Sequence, residues 1–351
     1  MLNELLISGW ETLLEYLSFH VLLCLIPAFF IAGAFNALIS DKAIFKFMGG
    51  DSKKGKTIAY FFAAISGLII EVCSCTILPL FAGIWKKGAG FGPAITFLYS
   101  GPGIAFLSTL IAVPIFGPGF AAYRLIFSLI NAVLVGVLME LIFDGKTKRD
   151  HIERMIHDEV KLSTKRKTWQ SGVFFAFLVS LMLLGTAQID LTIKYSLMSL
   201  SLIGTILSGF KFYEKRELKA WIKESFKFVK MIFPILLVGV FISGFIKPLI
   251  STEIIVGLLG DNNVFSNLLA VLFGAFAYFP VAVEIPIAKM FLDLGAHIGP
   301  LMSYLIVDPV VSLQTFLVVN KILKLKKTIA YASLVIILGV LAGWFYGVIA
   351  A

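Results

Sequence analysis

The chain has 351 residues, of which 59% are hydrophobic and only 15% charged, with a formal net charge of +9. Its mean hydropathy of +0.96 lies well above that of soluble domains, so it reads as a polytopic membrane protein with almost no soluble mass. The basic residues gather in short islands between apolar stretches, which indicates membrane topology and excludes nucleic acid as a partner.

Met1 to Glu15 carries Glu4, Glu11 and Glu15 and no basic residue, unlike the start of a cleaved leader. The first apolar segment, about 18–39, contains Pro27 and is followed by Lys42, Lys46, Lys53, Lys54 and Lys56, a cytoplasmic signature. Gly50 to Thr57 fits the P-loop pattern, but the sheet that motif needs has no place here, so no nucleotide is expected. Segments at about 57–72 and 75–86 follow, with Glu71 and Cys73-Ser74-Cys75 between their cores. The second is too short to span at ~1.5 Å rise per residue, and reads as a half-helix or one arm of a re-entrant hairpin. A segment at about 89–116 is interrupted at Gly101-Pro102-Gly103, and one at 119–143 completes a first repeat over 1–143. Early in that last helix, Arg124 reads as a residue snorkelling to the interface, and Asn131 as an interhelical hydrogen-bond partner.

A basic linker, 144–170, and a basic loop, 211–226, both read as cytoplasmic. The apolar stretch 171–210 between them forms a two-helix hairpin with Asp190 at its outer turn. A second repeat, 227–351, holds segments at about 228–248, 264–279, 281–293, 296–320 and 328–349.

The two repeats superpose at a shift of 207 residues, which carries Pro27 onto Pro234, Pro79 onto Pro286, Gly92-Pro93 onto Gly299-Pro300, and Pro102 onto Pro309. Their loops switch charge. The lysine-rich stretch after the first helix matches one holding Glu253 and Asp261; Lys86-Lys87 matches Asp293-Leu294; and Gly117 to Gly119 matches Lys324, Lys326 and Lys327. The expected fold is therefore all-α and polytopic, with two inverted-topology repeats containing interrupted helices, joined by the hairpin. Both termini are then external. Irregular backbone at membrane depth is tolerated only where it is buried in protein or lines a cavity, so the breaks mark the site.

Within the breaks, Cys73 and Cys75 form a soft-metal clamp if the chain there is unwound, or are two small buried hydrophobes if it is not. Carboxylates at membrane depth point to ion or proton coupling, which nominates Glu71 and Glu284. Structural pairing of Glu284 is an equal reading, with Lys289 and His297 as nearby partners. Asp308, directly before Pro309, reads first as a helix N-cap. Gln314 lies just past the break and either bonds a neighbouring helix or lines the path. The candidate substrate site comprises Cys73, Ser74, Cys75, Pro79, Gly101, Pro102, Glu284, Pro286, Asp308, Pro309 and Gln314.

The run Glu71-Val72-Cys73-Ser74-Cys75-Thr76-Ile77-Leu78-Pro79-Leu80, with Lys86-Lys87-Gly88-Ala89 and Gly101-Pro102 downstream, resembles the ArsP/YraQ-type predicted permease family. The resemblance covers both repeats. It implies a permease of the cytoplasmic (inner) membrane, some of whose relatives export trivalent organoarsenicals, and it makes Cys73 and Cys75 substrate ligands.

The sequence therefore points to a secondary-active exporter of a small thiophilic substrate, a trivalent arsenical or soft metal ion, working by alternating access without a cofactor. A channel, or a transporter of an unrelated solute with structural cysteines, is the nearest rival. An intramembrane enzyme is disfavoured because no His-Glu-x-x-His or Gly-x-Ser-x-Gly motif occurs. The expected partners are the lipid bilayer and the cargo; a homo-oligomer is compatible with the sequence.

Overall fold

In lipid, a chain satisfies its backbone polar groups most simply by becoming helical. The computed structural model is helical in this way. It describes residues 2–17, 19–38, 53–70, 74–86, 89–104, 106–157, 168–186, 190–246, 248, 257–277 and 281–350, and no strand occurs among them.

After α1 (Leu2–Tyr16), the first repeat contains α2 (Phe19–Leu38), α3 (Lys53–Ile70), α4 (Ser74–Lys86), α5 (Phe91–Ile104), α6 (Phe106–Phe116) and α7 (Pro118–His157). The connecting hairpin is α8 (Thr168–Thr186) and α9 (Leu191–Phe212). The second repeat contains α10 (Lys215–Ile246), α11 (Val264–Ala277), α12 (Val281–Asp293), α13 (Ile298–Val307), α14 (Leu313–Leu323) and α15 (Leu325–Ala350). Within these helices, Pro118–Phe143, Thr192–Phe212, Lys215–Ile242 and Leu325–Ala350 are long and apolar enough to cross a membrane unaided. Helices α5 and α6 pass the same test only together and are bent by 44°, as a broken span or a re-entrant loop would be.

The helices begin at matched places. Ser74 and Val281, Phe91 and Ile298, Phe106 and Leu313, and Pro118 and Leu325 open equivalent helices, each pair 207 residues apart. The turn before the last helix is left-handed in both repeats. Gly117 makes it at φ 91°, and Lys324, its counterpart, makes it at φ 70° and ψ 157°, a region few side chains tolerate. Contacts between the repeats are reciprocal: α2 packs on α10 and α7 on α15, while α4 meets α14 and α6 meets α12. A two-fold relation generates such pairs, in which each patch meets its own counterpart.

Inside each repeat the tightest contact uses glycine. A Cβ at Gly136 of α7 would stand 2.7 Å from the Gly92 carbonyl of α5; one at Gly343 of α15 would stand 2.7 Å from the Gly299 carbonyl of α13. Both pairs obey the 207-residue shift. Small residues matter here because lipid supplies no hydrophobic drive between helices, so close packing must.

Several features depart from the sequence expectation, among them the basic loop 211–226, which from Lys215 onward is the start of α10. Helix α7 continues past Phe143 to His157, into the stretch read as a linker. Residues 2–16, given no membrane segment above, form α1, which packs on α10 through a Ser8 hydroxyl donating to the Gly244 carbonyl at 2.8 Å. Leu6, Ile7, Trp10 and Leu14 of α1 point outward. Similar apolar exposure along α7, α9 and α15 gives the surface expected of a lipid-facing protein.

Candidate functional site

Helix α7 opens with Pro118 at its first position, where a missing N–H costs nothing. Its buried face reads Phe120, Ala121, Arg124, Ser128, Asn131, Ala132, Val135 and Met139, a stripe at helical spacing. Arg124 is thus fully buried and does not snorkel to the interface. Its inward position is set by the same periodicity that buries Phe120 and Ala132.

Across the repeat boundary, α12 buries Glu284, Ile285, Ala288 and Phe291. The Glu284 side chain is 0% exposed and pairs with Arg124, which is also 0% exposed. Arg124 Nη2 donates to Glu284 Oε1, and Nη1 donates to the Ser108 hydroxyl at 2.7 Å. The Ser108 hydroxyl in turn donates to Glu284 Oε1. Lys289 does not pair with Glu284; it stands exposed and pairs with Asp293 one turn along its own helix. His297 does not pair with it either. It is the N-cap of α13, where its Nδ1 accepts from the Gly299 N–H at 3.1 Å.

The helix break supplies the last partner. Arg124 Nη2 also donates to the Leu305 carbonyl of α13 at 3.2 Å. That carbonyl would ordinarily accept from the N–H four residues on, but residue 309 is a proline and has none. The Asp308-Pro309 break therefore frees an acceptor at the place the guanidinium occupies. Helices α6 and α7 of the first repeat and α12 and α13 of the second all contribute to this one cluster.

Asp308 is 5% exposed and lies within electrostatic reach of both Glu284 and Arg124. It is not an N-cap: it continues α13 as its C-cap, its N–H donating to the Tyr304 carbonyl at 2.9 Å. The N-cap position of α14 falls instead on Ser312, whose hydroxyl hydrogen-bonds that of Thr315 at 2.9 Å. Gly274 of α11 makes room for this corner, since a Cβ there would stand 2.7 Å from the Tyr304 ring and 2.9 Å from Asp308 Oδ1.

Helix α5 runs unbroken through Gly101-Pro102-Gly103, where the sequence predicts an interruption, and its end packs on Ile77 of α4 and on the Asp308-Pro309 break. A Cβ on Gly101 would stand 2.6 Å from Ile77 Cδ1, and one on Gly103 would stand 2.7 Å from Val310 Cγ2. Pro102 and Pro309 are both buried where this contact forms, as is Pro79 in α4. Pro286 stands apart on the exposed face of α12. Gln314 is fully buried against Gly239 of α10, and neither of its amide atoms has a hydrogen-bond partner among the described residues. The Asn131 Nδ2 likewise lacks one, although the residue faces the Tyr99 hydroxyl.

Ser74, at the first position of α4, is buried. Glu71, Cys73 and the Cys75 side chain lie outside the described residues. Among those described, no three His, Cys, Asp or Glu side chains gather closely enough to hold a metal ion.

A second polar cluster was not anticipated. Glu140 of α7 pairs with Lys56 and accepts from the Tyr60 hydroxyl, both on α3. The matching positions in the second repeat are Asn263, Asn267 and Gly347. There Asn267 donates to Asn262 Oδ1 at 3.1 Å and accepts from the Ser303 hydroxyl at 2.7 Å. An Asn-Asn-Ser network thus replaces the ion pair.

The sequence held a signal for the Arg124 cluster. Arg124, Ser128 and Asn131 recur at intervals of four and three, which puts three polar groups on the face that also carries Phe120 and Ala132. A polar stripe on the buried face of an apolar helix is a site indicator; a single arginine near a helix end is not.

The chain is 34% identical over 351 residues to the UPF0718 protein MJ0584 of Methanocaldococcus jannaschii, covering 97% of this chain and 95% of that one. No solved structure matches it. The ArsP_1 family, described as predicted permeases, matches residues 7–348, and the chain belongs to that family.

Proposed function

We propose that this permease is a secondary-active transporter that exports a small thiophilic substrate, such as a trivalent organoarsenical or a soft metal ion, by alternating access between two halves inverted in the membrane. The observation that carries the transporter reading is the Arg124–Glu284 pair. It is fully buried, bridges the two repeats, and draws its third partner from a proline-broken helix. An ion pair with no exposure to solvent is a poor device for stability alone, because desolvation of both charges offsets their attraction. At an interface that must separate and reform, the same pair acts as a latch: protonating Glu284 removes the charge that holds Arg124 across the boundary.

In this reading Glu284 couples transport to protons, with Glu71 as a second coupling carboxylate. Cys73 and Cys75 bind the cargo as thiolates. Ser74, Gly101, Pro102, Asp308, Pro309 and Gln314 line its path. The inverted arrangement rests on the charge switch of matched loops, which makes the basic segments 144–170 and 211–226 cytoplasmic and the termini external.

Counterflow in reconstituted vesicles tests the class. A carrier loaded with unlabelled trivalent arsenical accumulates labelled arsenical transiently against its gradient; a channel only equilibrates it, which would reject the reading. For the cargo, Cys73→Ser and Cys75→Ser in a sensitive host are expected to abolish arsenical resistance while the protein stays in the membrane. Undiminished resistance in both would remove the thiols as ligands.

A further inference from the structure

We propose that Arg124 is also a binding site for a small monoanionic group, an oxyanion or carboxylate carried by the cargo or travelling with it. This group takes the place of the Glu284 carboxylate on the guanidinium as Glu284 takes up one proton. The inference rests on the alternating-access reading but not on the cysteines.

The first ground is how incompletely the pair is made. A guanidinium presents five N–H donors in a fork that matches a carboxylate two-for-two. Here Glu284 is held through Oε1 alone. Arg124 Nε and Glu284 Oε2 are both buried, and neither has a partner among the described residues. Buried charges that serve only stability need their remaining donors and acceptors filled. This pair leaves open two of the five donors, the Nε–H and one Nη1–H, and one acceptor, so another anion can make a better fit than the resident one.

The second ground is charge balance. Arg124 is 0% exposed, and a guanidinium, which stays protonated even when buried, is costly to keep out of water without an anion beside it. Neutralising Glu284 therefore obliges one negative charge to arrive. The exchange is one proton onto the Glu284 carboxylate for one anion onto the Arg124 guanidinium, and the net charge of the dry site is unchanged.

The third ground is the surroundings. The groups facing Glu284 are Arg124 from α7, the Ser108 hydroxyl from α6, and Tyr304 and Asp308 from α13. The Tyr304 hydroxyl is buried without a partner among the described residues and is a donor suited to an anion. On Glu284's own helix, Lys289 is turned outward to Asp293 and does not add to the site. The counterpart positions in the other half are Tyr331, Thr315 and Ile77, so the chain carries this charge set once.

Anion binding to the full-length protein in lipid nanodiscs is the test, with nitrate and acetate as probes and thermal unfolding as the readout. At pH 8, Glu284→Gln, which leaves Arg124 without its counter-ion, is expected to show half-saturation at an anion concentration at least about tenfold lower than wild type. Arg124→Gln with Glu284→Gln is expected to show none of this stabilisation. Equal stabilisation of the two variants, or none in Glu284→Gln, would overturn the site. Wild type supplies a readout independent of variant folding. In weakly buffered solution it takes up one proton per anion bound, and binding without proton uptake would overturn the exchange. Counterflow of labelled arsenical in the same preparation separates the two proposals. If counterflow fails while anion binding persists, the transporter reading falls; if the reverse holds, the anion site falls.

Discussion

In the first repeat, α6 and α7 carry Ser108 and Arg124; at the equivalent places in the second, α14 and α15 carry Thr315 and Tyr331. The helices that reach across to them differ as well, since α12 brings Glu284 where α4 brings Ile77. The frame is shared down to the glycine contacts, Gly92 with Gly136 and Gly299 with Gly343. The charges are not. What the difference teaches is that repetition sets where the breaks and crossings fall, while the chemistry is added to one side of each reciprocal contact. A set of reciprocal helix contacts is thereby made electrically one-sided.

The largest effect should come from unbalancing that one-sided charge. Glu284→Ala leaves a buried guanidinium without a counter-ion and is expected to cost about 3–5 kcal/mol of stability. Arg124→Leu combined with Glu284→Leu, read by the same thermal unfolding, is expected to recover most of it while transport stays lost. If the double variant is as unstable as the single, the pair is a packing feature and not a charge device.

Next in size is the shared frame. Gly343→Val drives its side chain into the Ser303 backbone N–H and the Gly299 carbonyl, and Gly136→Val does the same to Gly92. Each is expected to destabilise by about 1–3 kcal/mol. A clear inequality between the two would mean that the halves are not equally dependent on this crossing.

The left-handed turn gives a smaller effect of opposite sign. Lys324 holds a conformation that its counterpart, Gly117, adopts freely. Lys324→Gly is expected to stabilise the protein by about 1 kcal/mol, and Gly117→Lys to destabilise it by a similar amount. Smallest is the Lys56–Glu140 pair, where Lys56 is 45% exposed. Glu140→Gln is expected to change stability by no more than about 1 kcal/mol.

The fold was legible where chemistry constrains the backbone. Pro27, Pro79, Pro102 and their counterparts made the repeat visible, but of these prolines only Pro309 marks a break, since Pro27, Pro79, Pro102, Pro234 and Pro286 sit inside helices. Glu284 was legible as a carboxylate in an apolar run. Its partner was not, because Arg124 lies 160 residues away and the halves meet there through tertiary contacts, α6 with α12 and α7 with α13. Helix-end position suggested snorkelling; the direction of the side chain, set by which face of α7 meets α5 and α15, decided otherwise. Asp308 misled for a related reason. An Asp-Pro pair caps a helix when the helix starts there, but here the new helix starts at Leu313 and Asp308 ends the old one. The polar stripe Arg124, Ser128, Asn131 was the signal that sequence could have supplied.

Glu284→Gln in reconstituted vesicles probes whether the Arg124–Glu284 bridge couples transport to protons. Counterflow of labelled trivalent arsenical should persist in this variant, while accumulation driven by an imposed pH gradient should vanish. Accumulation that still follows the pH gradient as in wild type would contradict the account.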